Sequence, residues 1–294
     1  MADDKIPLSV VISTTEPIDH IAAHLGNLMA QVEAVRGELI VVTGGNAPPE
    51  RVPAGLRVHH IPGGSVFDCR AEGFSLASAG IVAFTEDHCV QSDGWCARIL
   101  RDFQERPDLV LLGGAVANGS TRRIEDVMNF WMTFATFSPG QVIAKHPCIT
   151  QFMVRASAIP GPLKPGELES SVILTFETVP GAVYVDPELV VWHCQSHGFW
   201  NTFAAHFHNG RATGGLSPRR IGGRDLSVHD SLRWSWRDAT AHVRRSRDAF
   251  AAGTTSSVVR ARRLALILPL IVAHGAGEFM GYRHGPGASA HQLA

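Results

Sequence analysis

Along the first 115 residues, short apolar runs alternate with segments whose apolar side chains recur at helical spacing. Leu8-Ser9-Val10-Val11-Ile12-Ser13-Thr14-Thr15 is a β-branched run ending in hydroxyls, the pattern of a buried parallel strand. From Ile18 to Val35 the apolar positions 18, 21, 25, 28, 29, 32 and 35 share one helical face. Glu38 to Gly45 predicts a second strand that closes on a Gly-Gly turn, and Leu56 to Ile61 a shorter third. Asp68 to Ala79 predicts a helix stopped at Gly80, Ile81 to Phe84 a fourth strand, Gly94 to Phe103 a helix, and Leu109 to Gly114 a fifth strand. Such alternation predicts an α/β fold with a doubly wound, Rossmann-like, mostly parallel sheet flanked by helices.

Beyond residue 115 the pattern loosens. Val127 to Phe137 is rich in aromatic side chains (Phe130, Trp131, Phe134, Phe137) that fit a core or a pocket lining. Three prolines between Pro160 and Gly166 predict a loop. Ala182 to Val185 and Leu189 to His193 predict two strands parted by a turn at Asp186-Pro187. Phe199 to Arg211 is helical in spacing, and Gly214, Gly215, Pro218, Gly222 and Gly223 predict a flexible connection. Two regions follow from this, residues 1–215 and a helical C-terminal extension, residues 216–294.

Composition sharpens that division. The 294 residues are 45% hydrophobic and 18% charged, enough for a packed core. The net charge of −1 conceals 14 basic against 22 acidic residues through Pro218, and 12 basic against 5 acidic after it. Five cysteines (Cys69, Cys89, Cys96, Cys148, Cys194) lack finger or CxxC spacing, and acid stands where a signal peptide would carry positive charge. The expectation is a cytoplasmic protein with reduced thiols. Leu264 to Ala276 is the longest apolar stretch; interrupted by Pro269, it is too short to span a bilayer.

The candidate chemistry begins at Ile81-Val82-Ala83-Phe84-Thr85-Glu86-Asp87-His88-Cys89, an apolar strand running straight into acid and imidazole. Ligands bind outside the carboxyl ends of strands in open α/β sheets. Carboxylates and imidazole there suit a divalent cation; the same acids would equally cap a helix start.

Taken in order, the motifs resemble glycosyltransferase family 2, of the GT-A fold. Ser9-Val10-Val11-Ile12-Ser13-Thr14 is similar to its first strand and Glu38-Leu39-Ile40-Val41-Val42-Thr43-Gly44-Gly45 to its second. Arg70, Gly73, Ala79 and Gly80 match its following helix, Glu86-Asp87-His88 its Asp-x-Asp metal motif, and Gly94-Trp95 its Gly-Trp pair. Glu169, a dozen residues before Gly181, matches a later acidic motif; Val190-Val191-Trp192-His193 and Gly210-Arg211 match its last strand and helix end. The resemblance spans residues 7–215.

It implies a transferase that moves a sugar from a nucleotide-diphosphate sugar, a UDP-sugar in the first instance, to an unidentified acceptor, inverting and metal-assisted. Mn²⁺ or Mg²⁺ would be held by Asp87, with Glu86 as its alternate, His88 and His193. Glu169, or Glu167 from the preceding turn, would be the general base, with Asp87 also catalytic. Donor contacts would come from Ser13, Thr14, Thr15, Glu16, Thr43, Arg70, Glu86 and Arg211. His197, His206 and His208 are expected at the surface or behind the site. Three departures stand out: Thr43-Gly44 replaces two acids, Glu-Asp-His replaces Asp-x-Asp, and Ser170 replaces the Asp beside the base. A GT-A-like domain that binds a nucleotide sugar or scaffolds a partner without catalysis is the alternative. No phosphate loop follows the first strand and no Gly-x-Ser-x-Gly elbow occurs, which disfavours nucleotidyl transfer and serine hydrolysis.

The tail is basic through arginine alone. Arg233, Arg237, Arg244, Arg245 and Arg247 precede Arg260-Ala261-Arg262-Arg263, and the apolar run follows immediately. This combination suits an anionic membrane surface over residues 233–282, at the inner face of the membrane, with a core helix or a homodimer interface as alternatives. No nucleic-acid motif is present.

Overall fold

The computed structural model describes residues 6–49, 52–53, 56–217, 219–220 and 224–292, leaving the side chains of residues 19–20, 22–24, 169–170, 174 and 290 undescribed. The chain divides into two compact units, Met1–Ala117 with Ala144–His193, and Asn118–Ile143 with Cys194–Leu293.

The first unit is built on eight strands: β1 (Ser9–Thr14), β2 (Glu38–Thr43), β3 (Arg57–His60), β4 (Ile81–Glu86), β5 (Cys89–Gln91), β6 (Leu111–Asn118), β7 (Gln151–Arg155) and β8 (Val183–His193). Their order is β3-β2-β1-β4-β7-β6-β8-β5. The first four run parallel, as the β-branched runs predict. Every residue of β1 is buried, as a strand covered on both faces requires. Helix α1 (Ile18–Ala34) links β1 to β2, and α2 (Val66–Leu76) precedes β4. Helix α2 starts on a capping box, Ser65 and Asp68 each bonding the other's backbone N–H. It presses so close to β1 that a Cβ on Gly73 would sit 2.3 Å from Val11 Cγ1.

From β4 onward the sheet is mixed. β7 pairs antiparallel with both β4 and β6, so the expected fifth parallel strand joins by a different route. Phe84 and Phe152, cross-strand partners, stack at 4.7 Å and seal the core at this junction. The two strands expected around Asp186-Pro187 are one. Asp186 takes a two-pronged bond from Arg98 of α3 (Trp95–Glu105), which holds the acid in an extended strand instead of a turn.

The second unit is helical: α4 (Ile124–Phe134), α6 (Phe199–Gly215), α7 (Val228–Gly253) and α8 (Ser257–His284); the short α5 (Ile173–Glu177) belongs to the first. Met128, Met132, Phe250, Ile267, Leu270 and Ile271 form its core. α6 and α8 touch backbone to backbone. A Cβ at Gly210 would lie 2.0 Å from the His274 carbonyl oxygen, and one at Gly277 2.0 Å from that of Phe207. Gly214 and Gly215, expected in a flexible connection, close the last turn of α6 and are buried by the same close approach. Pro218, Gly222 and Gly223 lie outside the described residues. α6 and α8 fall in the same compact unit, which takes up the chain from Cys194.

A polar seam runs through the helical core. His206, expected at the surface or behind the site, is buried in the helical unit, where its Nε2 donates to Asn129 Oδ1 at 3.0 Å. His242 and His274 rings lie 4.9 Å apart, and His274 Nε2 is 3.6 Å from Glu278 Oε1. Burial, with the neighbouring His274 and His197, pushes the His206 imidazole down to about 3, and burial with His274 lowers His242 as well. Both are therefore neutral in the fold at neutral pH. The unfolded chain takes up their protons near pH 6.5 whereas the fold refuses them, so stability is full above that pH and falls below it. Each histidine should cost about 1.4 kcal/mol per pH unit. Thermal unfolding followed from pH 7 to pH 5 should show this slope, and His206→Gln should flatten it.

Candidate metal and donor site

The carboxyl ends of β1, β2 and β4 emerge along one edge, because the register sets Thr14 beside Thr43 and Ser13 beside Glu86. Past Glu86 the chain turns at Asp87-His88 and returns as β5. That strand pairs antiparallel with β8, setting Cys89 opposite His193. The pairing carries His193 to the turn, where its Nε2 faces His88 Nε2 at 2.9 Å. Glu86 Oε2 lies 3.2 Å from His88 Nε2 and 3.8 Å from His193 Nε2. One carboxylate oxygen and two imidazole nitrogens thus converge within 4.8 Å of one another.

Buried partners fix each of these groups. Arg70, almost wholly buried on α2, donates from Nη2 to Glu86 Oε1 at 2.9 Å and leaves Oε2 aimed at the histidines. Asp87 uses one oxygen to accept from His88 Nδ1 at 2.7 Å and the other to accept from the Thr14 hydroxyl. That bond sets the His88 tautomer and aims Nε2 inward, as outer carboxylates do for metal-binding imidazoles. The Glu16 backbone N–H closes the chain by donating to Thr14 Oγ1 at 2.9 Å.

Burial alone would raise the Glu86 carboxyl, but the His88 hydrogen bond and the charges of His88, Arg70 and His193 hold it well below the ordinary carboxylate range. Burial would likewise lower the His88 imidazole; hydrogen bonds to Asp87 and Glu86, and their charges, push it up to about 9. The pocket favours positive charge between its carboxylates. Two imidazoles and a carboxylate are a donor set that fits a divalent transition metal, Mn²⁺ or Zn²⁺ in kind, better than Mg²⁺ with its demand for oxygen.

The expected site residues distribute unevenly. Glu86, not Asp87, supplies the carboxylate that converges with His88 and His193, since both Asp87 oxygens are engaged elsewhere. Ser13 Oγ is buried beside Glu86 with no hydrogen-bond partner among the described residues, while Thr15 is half-buried and Glu16 exposed just beyond. Thr43 Oγ1 lies 2.8 Å from His60 Nδ1, a pairing with no local signal in the sequence. Arg211 belongs to the helical unit, where its Nε donates to the Gly285 carbonyl at 3.4 Å. Glu169 and Ser170 stand in the π-helical turn Leu168–Val172, their side chains outside the described residues.

No protein-family model matches the chain, and no curated protein is similar to it in sequence. Solved structures do resemble it. The mannosyltransferase PcManGT from Pyrobaculum calidifontis, in complex with GDP-Man and Mn²⁺, is 14% identical, with 94% of this chain and 88% of that one covered and a TM-score of 0.52. TarS residues 1–349 from S. aureus are 12% identical, covering 93% and 90%, with a TM-score of 0.45. Glucosyl-3-phosphoglycerate synthase from Mycobacterium tuberculosis, in complex with Mn²⁺, UDP and phosphoglyceric acid, is 13% identical, covering 65% and 72%, with a TM-score of 0.43. The likeness to the mannosyltransferase identifies the fold as GT-A-like α/β, the architecture expected from the sequence.

Removing Arg70 strands the Glu86 carboxylate in a buried setting. Arg70→Ala should cost roughly 3 kcal/mol of stability, and adding Glu86→Gln to it should recover part of that loss. A double-mutant cycle by urea denaturation measures both terms.

Proposed function

We propose that this protein is a glycosyltransferase moving a sugar from a nucleoside-diphosphate sugar, a UDP-sugar in the first instance, to the hydroxyl of an acceptor, with inversion. The observation that carries the proposal is the Glu86–His88–His193 convergence at the carboxyl ends of parallel strands in a GT-A-like sheet. The mannosyltransferase of similar fold, in complex with GDP-Man and Mn²⁺, supports a donor and a cation of this class.

Glu86, His88 and His193 would hold the cation, and Asp87 would orient His88 from behind. A bound divalent ion supplies Lewis-acid stabilisation to the charge that grows on a diphosphate leaving group. The chain's own groups do the rest. Ser13, at the end of β1, offers its hydroxyl to the donor and Thr14 holds Asp87 in place, with Thr15, Glu16 and Thr43 along the same edge. Arg70 keeps the Glu86 carboxylate ionised and directed. Glu169 is assigned as the base that takes the acceptor hydroxyl's proton as the new bond forms. Arg211 is assigned to the diphosphate from the resemblance alone. A second reading, donor binding without turnover, is favoured by the Ser170 replacement beside Glu169.

Thermal unfolding against nucleoside diphosphates, with and without Mn²⁺, tests the proposal. One nucleotide at a hundredfold excess over its Kd should stabilise the fold by about 2.7 kcal/mol, with a Mn²⁺-dependent share that Mg²⁺ reproduces poorly. Glu86→Ala or His193→Ala should abolish that share, while Asp87→Asn should weaken Mn²⁺ binding by about 10- to 100-fold. A panel in which no nucleotide moves the transition would overturn the donor assignment. Glu169→Gln should lower kcat by about 10²- to 10⁴-fold with nucleotide binding intact. Binding without donor consumption by the unaltered protein, across an acceptor panel, would select the second reading.

A further inference from the structure

Helix α8 is apolar on both sides. Its inner face, with Ile267, Leu270 and Ile271, fills the core of the helical unit. Its outer face carries Val258, Ala261, Ala265, Leu268 and Val272 at spacings of three and four, all exposed; Val258, Leu268 and Val272 are 66%, 51% and 64% accessible. From Leu264 to Ala276 the helix holds no Asp, Glu, Lys or Arg. By length and composition alone α8 could cross a membrane, yet less than half of its most apolar stretch is buried. The glycine contact with α6 and the buried His274 and Glu278 tie its other side into the unit. The helix therefore presents its outer face sideways, as an interfacial helix does.

The charge around this face is mostly positive, with Asp248 paired to Arg247 at 3.1 Å. Arg260, Arg262 and Arg263 lie in the first turns of α8. Arg244, Arg245 and Arg247 lie in the last turns of α7, which the short connection at residues 254–256 folds back beside them. Arg263 stacks over Trp131 and Arg260 donates to the Thr254 carbonyl, while Arg244 and Arg262 are exposed. The helical unit as a whole carries 15 basic against 7 acidic residues.

We infer that the outer face of α8 lies on an anionic lipid bilayer, with the α7–α8 arginines among the headgroups. Charge complementarity selects this occupant. A second copy would set one strongly positive unit against another, whereas acidic headgroups satisfy the arginines and the acyl boundary takes the Val258-to-Val272 row, about 21 Å long.

Co-sedimentation of the full chain with phosphatidylcholine vesicles, with and without phosphatidylglycerol, tests this. Binding should require phosphatidylglycerol and weaken in 1 M salt, where screening shortens to about 3 Å. Leu268→Glu with Val272→Glu should lower the apparent affinity at least about tenfold with unfolding temperature unchanged, because both positions are exposed. Arg262→Glu with Arg244→Glu should do the same, each cation being worth about fivefold. Absent binding to anionic vesicles, or binding that survives the glutamate pair, would overturn the inference. So would a lipid-free dimer that the glutamate pair splits into monomers, which would assign the face to self-association.

Discussion

A carboxylate drawn out of water at the end of a central strand has to be compensated by charge, and the first unit is arranged around doing so for Glu86. The strand that carries it is flanked by β1 and β7 and has no exposed residue. Arg70 reaches it from a helix that a glycine allows to lie directly on β1. Two imidazoles complete the enclosure, one from the adjacent turn and one from a strand more than a hundred residues later. An unpaired ion in that position would be far too costly to persist. The pairing of β5 with β8 is therefore as much a part of the electrostatics as of the sheet.

What was legible in the sequence is what depends on local period. The β-branched runs, the helical spacing of α1 and the abrupt change from Phe84 to Glu86 and Asp87 all announce themselves within ten or twenty residues. The convergence itself does not. It rests on a three-residue strand, Cys89 to Gln91, whose partner register places His193, and nothing nearby in the chain encodes that register. The choice between Glu86 and Asp87 is equally invisible, because it is made by Thr14 and Arg70 claiming different oxygens. Asp186-Pro187 misleads for a related reason: turn chemistry is a local preference, and a guanidinium from another element outweighs it.

Glycine carries two meanings that sequence alone cannot separate. Near the end of α6 a run of glycines reads as slack, yet Gly210 and Gly214 let one helix backbone rest on another, with Gly277 and Gly281 reciprocating from α8. His206, His274 and Glu278 are enclosed in the same bundle, where burial lowers the His206 imidazole and raises the Glu278 carboxyl.

Gly44 marks another close approach of backbone to backbone. In the family that the sequence resembles, the second strand ends in two acids; here the second of those positions is Gly44. A Cβ built there would lie 2.0 Å from the Gly64 carbonyl oxygen. The loop before α2 has closed over the space an aspartate would need. An acid at position 44 therefore takes more than one substitution, because the Gly64 backbone must first withdraw to admit any side chain there.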